Sequence, residues 1–140
     1  MNPEKANVLG IDHGEARLGL AITDGLGLLA HPLETIHRRS TDAMARIQEI
    51  VSERSISIIV LGLPLLRDGQ EGPAAKKVRR FGEALRRRLK GIALLYVDES
   101  FTTLAASEKM RSAGKRSHQQ NEHIDQAAAV EILEDYLQQP

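Results

Sequence analysis

Apolar residues in the first third of the chain fall into short runs with the spacing of β-strands. The second run alternates apolar and polar positions, as a strand with one buried face does, and a short turn separates it from the first. These two runs therefore predict an antiparallel hairpin. Pro32 interrupts the third run and cannot donate to a ladder, so that strand is expected at a sheet edge. The three predicted strands cover residues 8–13, 17–23 and 28–36.

After residue 40 the pattern changes to helices alternating with apolar runs. Ser40 or Thr41 is the expected N-cap of the first helix. Pro73 fits the first position of the second helix, which Gly91 stops. The expected buried stripe of that second helix is Ala74, Val78, Phe81, Leu85 and Leu89. A β-branched run at 56–62 and an apolar run at 92–97 predict strands buried on both faces. Further helices are predicted over 102–113 and 122–138.

This order of elements predicts a single α/β domain over residues 1–140. A meander pairs antiparallel, whereas buried strands joined through helices pair parallel by right-handed crossovers. The simplest result is a five-stranded mixed sheet in the order 3-2-1-4-5 with helices on both faces. Such a sheet has a topological switch point between strands one and four, where ligands bind.

Composition excludes several classes of protein. A hydrophobic content of 41% and a charged content of 27% are typical of a soluble globular domain. The absence of cysteine excludes disulfides, thiolate zinc sites and iron–sulfur clusters. No apolar run is long enough to span a bilayer, and the N-terminal residues lack the apolar core of a signal peptide. We therefore expect a cytoplasmic protein with no membrane partner.

Charge is unevenly distributed, although the formal net charge is zero. Residues 74–90 carry eight Lys or Arg and one acid, whereas residues 122–140 carry five acids and no Lys or Arg. The basic segment is either a solvated helix face or a phosphate-binding surface. Aromatic residues make up 3% of the chain, so few side chains are available to stack on nucleic-acid bases. We therefore expect recognition of the backbone and shape of a nucleic acid.

Acidic residues from distant parts of the chain are predicted to meet at one sheet edge. Asp12 lies at the end of the apolar run of the first strand, where burying a carboxylate is costly without a cation or a set of donors. Asp98 and Glu99 end a parallel strand at the same edge, and one of the two must face away, since consecutive strand residues point to opposite faces. Asp125 lies on the apolar stripe of the last predicted helix. The alanines of that helix are small, so the helix can approach the sheet closely.

Carboxylates held together repel one another unless a cation neutralises them. Oxygen ligands without cysteine suit Mg²⁺ or Mn²⁺. Two such ions can activate a water and stabilise the leaving oxygen in phosphodiester hydrolysis. The acids therefore predict a two-metal hydrolytic site.

Four segments, "LGIDHGEARLGLAITD", "IIVLGLPLLRDGQEG", "VDESFTT" and "IDQAAAVEILEDYL", together resemble the YqgF family, whose members are described as pre-16S rRNA nucleases or Holliday junction resolvases. The resemblance covers nearly the whole chain and implies a ribonuclease H-like fold. It also implies a metal-dependent nuclease whose catalytic and metal-binding acids are Asp12, Glu99 and Asp125, which selects Glu99 over Asp98.

The resemblance further implies a set of substrate contacts. The loop after the fourth strand matches the family pattern and is expected to line the substrate crevice through Gly62, Pro64, Asp68 and Gly69. Ser100 stands where the family usually carries arginine, so a phosphate contact is lost or comes from Arg17, Lys115 or Arg116. Thr102 and Thr103 are expected to cap the following helix and are included among the substrate contacts.

The function favoured by this resemblance is processing of the 5′ end of pre-16S rRNA in ribosome biogenesis. The alternatives are a Holliday junction resolvase acting on branched DNA and a non-catalytic nucleic-acid-binding protein. An ATPase of the actin type shares the strand–Asp–Gly–turn–strand hairpin, but its second lobe does not fit into 140 residues. The partner is therefore structured RNA or branched DNA. No clear dimer surface is predicted, so a monomer and a weak homodimer both stay open.

Overall fold

A computed structural model describes residues 6–99 and 118–139 of the chain, with side chains from 122 onward in the last helix. Its elements are β1 (Asn7–His13), β2 (Arg17–Thr23), β3 (Ala30–His37), α1 (Ala43–Glu53), β4 (Ile56–Pro64), α2 (Pro73–Arg88), β5 (Ala93–Glu99) and α3 (His118–Gln138). The predicted helix over 102–113 lies outside the described residues, as do Ser100, Thr102, Thr103, Lys115 and Arg116. No described helix is long and apolar enough to cross a membrane.

The five strands form one sheet in the order β3-β2-β1-β4-β5, which confirms the predicted order. β1 and β3 each pair antiparallel with β2, while β4 pairs parallel with both β1 and β5. β3 is an edge strand, as Pro32 indicated, and the register shifts where Pro32 lies opposite Ala21.

Strand alternation divides the core between the two faces of the sheet. On one face α1 and α2 pack over Leu9, Ile11, Leu18, Leu20, Ile59 and Leu61, all buried. On the other face α3 brings Ala129, Ile132 and Leu133 against Val8, Ala21, Val60 and Val97. Burying one such Leu, Ile or Val side chain contributes about 1.5–3 kcal/mol to folding. Asp12 lies four residues after Val8 on the same strand, so its side chain points to the same face of the sheet, the face covered by α3.

The first helix begins differently from the prediction. Its N-cap is Asp42, whose side chain accepts a hydrogen bond from the Ala45 backbone N–H at 3.2 Å. The predicted caps, Ser40 and Thr41, instead donate their backbone N–H groups to the carbonyl of His37. The expected cap was wrong because these two residues are used in the turn that ends β3.

The second helix begins at Pro73, as predicted, and ends at Arg88. Its buried stripe begins at Ala75, whereas Ala74 is exposed, so that member of the expected stripe was wrong. Gly82 also belongs to the buried side of the helix, where a Cβ would lie 2.2 Å from the hydroxyl oxygen of Tyr96, so the helix presents its glycine to β5. Gly91 has a φ of +82° in the turn that follows, which favours glycine.

Strand β5 is less buried than its apolar sequence predicted. Leu94 and Val97 are buried on opposite faces, but Leu95 is 40% exposed. β5 is an edge strand, and Leu95 belongs to neither buried cluster of the described residues, whereas Val97 packs with residues of α3. The expectation of burial on both faces is therefore correct for β4 and wrong for much of β5.

Candidate functional site

Asp12 lies in the sheet between two glycines. It pairs with Gly19 of β2 across the antiparallel ladder. On its other side Ile11 pairs with Leu61 of β4, so the next residue of that strand, Gly62, runs beside Asp12. Glycine has no Cβ, so the surface on either side of this half-buried aspartate is open to other groups.

The backbone of α3 fills the space above Gly19. A Cβ placed on Gly19 would lie 2.0 Å from the carbonyl oxygen of Asp125, a separation that no real side chain could adopt. The helix therefore rests on the sheet at the residue paired with Asp12, and Asp125 itself is 3% exposed. The small residues of the sheet and the helix bring a carboxylate of the C-terminal helix to the neighbourhood of Asp12.

The carboxylate of Glu99 lies above Gly62. A Cβ placed on Gly62 would be 3.0 Å from Oε2 of Glu99, and Oε1 of the same side chain is buried. Glu99 pairs with Pro64 at the end of β4, so its side chain reaches back over that strand. The neighbouring Asp98 is exposed, and as the adjacent residue of the strand it points to the opposite face of the sheet. Glu99 thus shares the face of Asp12, as the family resemblance implied.

Asp125 is held by an arginine of β2. Nε of Arg17 donates to Oδ2 of Asp125 at 2.6 Å, and the arginine side chain is 33% exposed. Arg17 was expected to contact substrate, and its placement shows a contact with one of the candidate acids that the sequence did not predict. A charged hydrogen bond of this length is strong and fixes the carboxylate in the first half of α3.

The three acids meet at one sheet edge, but their side chains do not form a finished coordination group. Within residues 6–99 and 118–139, no group of three His, Asp or Glu side chains is arranged to hold a metal ion. The donor types nevertheless fit a hard divalent cation, because the three candidates are carboxylates that lie beside Gly19 and Gly62 on one face of the sheet. The roles of Asp12, Glu99 and Asp125 stay predictions.

The loop after β4 forms a tight turn. The Asp68 carboxylate accepts a hydrogen bond from the Gln70 backbone N–H at 3.0 Å, and Gly69 has a φ of +83°. Gly62 is buried beneath Glu99, and Pro64 is the last residue of β4. Asp68 thus stabilises its own turn, and the predicted substrate contacts of all four residues stay predictions.

The residue after Asp12 faces the other side of the sheet. The ring centroid of His13 lies 4.9 Å from that of Phe81 on α2. Burial, reinforced by the positive charge of Arg38, lowers the pKa of His13 to about 4. The imidazole is therefore neutral at pH 7 and serves the packing of β1 against α2. No sequence pattern marks Arg38, because its neighbours His13 and Phe81 come from distant parts of the chain.

Known proteins resemble this chain in both sequence and structure. Residues 6–139 match the family model "RuvX: Holliday junction resolvase". A "Putative pre-16S rRNA nuclease" of Mycobacterium leprae (strain TN) is 41% identical over 140 residues, which cover 99% of this chain and 76% of the relative. A protein of the same name from Acetivibrio thermocellus is 40% identical over 132 residues, covering 93% and 94%.

Among solved structures, "T. thermophilus RuvC in complex with Holliday junction substrate" superimposes with a TM-score of 0.58 at 18% identity, over 93% of this chain and 91% of that one. This likeness bears on the fold alone and confirms the expected ribonuclease H-like architecture. The family match spans all eight described elements and contains every candidate acid. The chain therefore belongs to the RuvX family, which is the YqgF family that its four sequence segments resemble.

Proposed function

We propose that this chain is a nuclease that hydrolyses phosphodiester bonds in structured nucleic acid, and that it processes the 5′ end of pre-16S rRNA. The observation that carries the proposal is the pair of glycines beside Asp12. Over Gly19 lies the backbone of Asp125, and over Gly62 lies the carboxylate of Glu99. The names of the relatives support the choice of ribosomal RNA as the substrate.

Asp12, Glu99 and Asp125 would hold Mg²⁺ or Mn²⁺, and two ions are expected. Such ions, when bound, polarise the phosphate and lower the pKa of a bound water. Arg17 positions the Asp125 carboxylate through its 2.6 Å hydrogen bond. Because one third of the Arg17 side chain is exposed, its guanidinium would also attract the phosphate of an approaching substrate.

The remaining predicted contacts complete the proposed substrate surface. Backbone contacts would come from the first half of the basic helix α2 and from the β4–α2 loop, with little reading of bases. Lys115, Arg116, Thr102 and Thr103 belong to this proposal through the family resemblance. A cytoplasmic location and a monomer or weak homodimer are expected of the protein.

The test uses purified protein, a structured RNA containing the 5′ end of pre-16S rRNA, and a four-way DNA junction. We expect cleavage of the RNA with Mg²⁺ or Mn²⁺ and none with a chelator. Asp12→Asn should lower the rate by about 10²-fold or more, as removal of a group that stabilises transition-state charge does, while RNA binding in chelator is retained.

Asp98→Asn is the matched control, since it removes an exposed carboxylate next to Glu99 on the opposite face of β5. It should keep the wild-type rate, whereas Glu99→Gln should not. Full activity in Asp12→Asn would mean that the cleavage arises at another site. Equal losses in Asp98→Asn and Glu99→Gln would contradict the assignment of the acids to one face.

Action on branched DNA is the second candidate. The observation that favours it is the fold shared with RuvC, whose solved structure contains a Holliday junction substrate. Faster cleavage of the four-way junction than of the RNA, under the same conditions, would favour this candidate. Binding of both substrates without cleavage of either would indicate a non-catalytic nucleic-acid-binding protein.

A further inference from the structure

A cavity of about 520 Å³ opens on the face of the sheet opposite the acids. It lies where the end of β1 and the residues after β3 meet the first half of α2. The side chains that matter for its chemistry are His13, Glu15, Arg38, Lys77, Arg80 and Phe81. No proposed catalytic role includes this cavity, although His13 and Glu15 belong to the first quoted segment and Lys77 and Arg80 to the basic segment.

Among the residues that the structure describes, Arg38 forms no ion pair with an acid, and its contacts in the cavity are of other kinds. Its Nη1 donates to the carbonyl oxygen of Gly14 at 2.9 Å and lies 3.1 Å from Nε2 of His13. Its Cζ lies 5.5 Å from the ring centroid of Phe81, within the range of a cation–π contact. None of these partners is a carboxylate. By contrast, Arg46 makes two hydrogen bonds to the carboxylate of Glu34, at 2.7 and 2.9 Å.

The cavity carries an excess of positive charge. Arg38, Lys77 and Arg80 contribute three cations, and Glu15 is the one acid of the lining. Lys77 forms an ion pair with Glu15, but both side chains are more than half exposed, so this pair contributes little stability. Glu15 is the one acid that lines the cavity with the half-buried guanidinium of Arg38, and it is largely exposed, so an anion in the cavity would offset part of the cost of burying this charge.

The geometry selects a phosphate rather than a base. Phe81 is 6% exposed and its ring already contacts His13 and Arg38, so it offers no platform for base stacking. Arginine presents a planar set of donors that matches the oxygens of a phosphate group. Consecutive residues Asp12 and His13 point to opposite faces at the end of one strand, so a strand of nucleic acid crossing that edge could reach both the acids and the cavity.

We propose that this cavity is a second phosphate-binding site, occupied by a backbone phosphate some nucleotides away from the bond that is cut. The inference rests on the proposed function, because the ligand is the same nucleic acid. A small free phosphate ligand would offer the cavity the same chemical group as the nucleic-acid backbone. Titration with inorganic phosphate and with an oligoribonucleotide separates these two sources.

The first measurement is the affinity for structured RNA by fluorescence anisotropy, in chelator, at several salt concentrations. Arg80→Ala and Lys77→Ala should each weaken binding several-fold and lower the slope of log affinity against log salt by about 0.7–0.9, since each removes one phosphate contact. Arg86→Ala is the matched control: the same helix loses the same charge, but Arg86 lies on its opposite face and pairs with Glu83. It should retain the wild-type slope.

The second measurement follows the Nε–Hε signal of Arg38 by nuclear magnetic resonance during titration with inorganic phosphate or with a short oligoribonucleotide. Both should shift the signal in the wild type, and Arg80→Ala should weaken both effects. This readout depends on neither cleavage nor the acids on the other face. A wild-type chain that cuts nothing, yet binds RNA with a slope that depends on Arg80, would refute the proposed nuclease activity and support the cavity.

Two results would overturn the inference. In the first, Arg80→Ala and Lys77→Ala keep the salt slope of the wild type, as Arg86→Ala does. In the second, inorganic phosphate shifts the Arg38 signal but the oligoribonucleotide does not, which would assign the cavity to a small phosphate ligand and remove it from the path of the nucleic acid.

Discussion

Replacement of Gly19 by alanine tests the link between the sheet and the candidate acids. The added Cβ would lie 2.0 Å from the carbonyl oxygen of Asp125 and 2.4 Å from its carbonyl carbon. Both atoms belong to the backbone of α3, so a rotamer change cannot relieve the clash. The helix must withdraw from β2, and the candidate acid must move with it.

The size of the effect follows from this distance. Separations below 3.0 Å are essentially never seen for real Cβ atoms, so α3 would have to retreat by about 1 Å. A gap of that size removes a quarter to a half of the dispersion energy of the contacts that it opens, by order of magnitude. The lost dispersion energy and the strain of overpacking together should lower the free energy of unfolding by about 1–3 kcal/mol or more.

The assay is urea unfolding of Gly19→Ala beside two matched glycine variants. In Gly25→Ala the new methyl meets nothing within 4 Å, so stability should hardly change. In Gly10→Ala it meets the Ala129 carbonyl oxygen and the Leu133 Cβ, both at 3.1 Å, and an intermediate loss is expected. An unfolding free energy for Gly19→Ala equal to that of Gly25→Ala would refute the close approach of α3 to β2.

Two further predictions concern local structure away from the acids. Asp42→Ala should cost about 1 kcal/mol in urea unfolding by removing the N-cap of α1, whereas Ser40→Ala should change little, and equal losses would contradict the assignment of the cap. The Leu28 backbone N–H donates to the carboxylate of Asp24 and lowers the pKa of that group from its ordinary 3.8. The stabilisation by the ionised Asp24 carboxylate is therefore present above pH 3.8 and is lost as the pH falls through the lower folded-state pKa. The difference in unfolding free energy between wild type and Asp24→Ala should therefore shrink at low pH. A difference that stays constant would argue against this hydrogen bond.

The sheet could be predicted from the sequence because its determinants are local. Alternation in β2, the interruption at Pro32 and the helix-linked apolar runs each restrict the pairing, and the rules for crossovers leave few arrangements. The cap of α1 was harder to predict. Ser40, Thr41 and Asp42 are all good capping residues, and the choice depends on which backbone N–H groups the carbonyl of His37 accepts.

The sequence indicated which face of the sheet the candidate acids share but not which residues they contact. Strand alternation and helical spacing indicated that Asp12 and Asp125 face one another. They could not indicate the ion pair of Asp125 with Arg17, because those two residues are separated by 108 positions in the chain. The environment of Arg38 likewise depends on two distant elements. Such contacts leave no spacing in the sequence, because they exist only once the sheet and helices have assembled.

The position of α3 in the chain has a consequence for synthesis. This helix follows every strand, so it emerges from the ribosome after the sheet that it covers. Until then Val8, Ala21 and Val60 lack the apolar cover that α3 provides, and Asp125 has not arrived. Under the proposed function, cleavage could begin only after α3 has folded onto the sheet, because one of the three proposed acids comes from this helix.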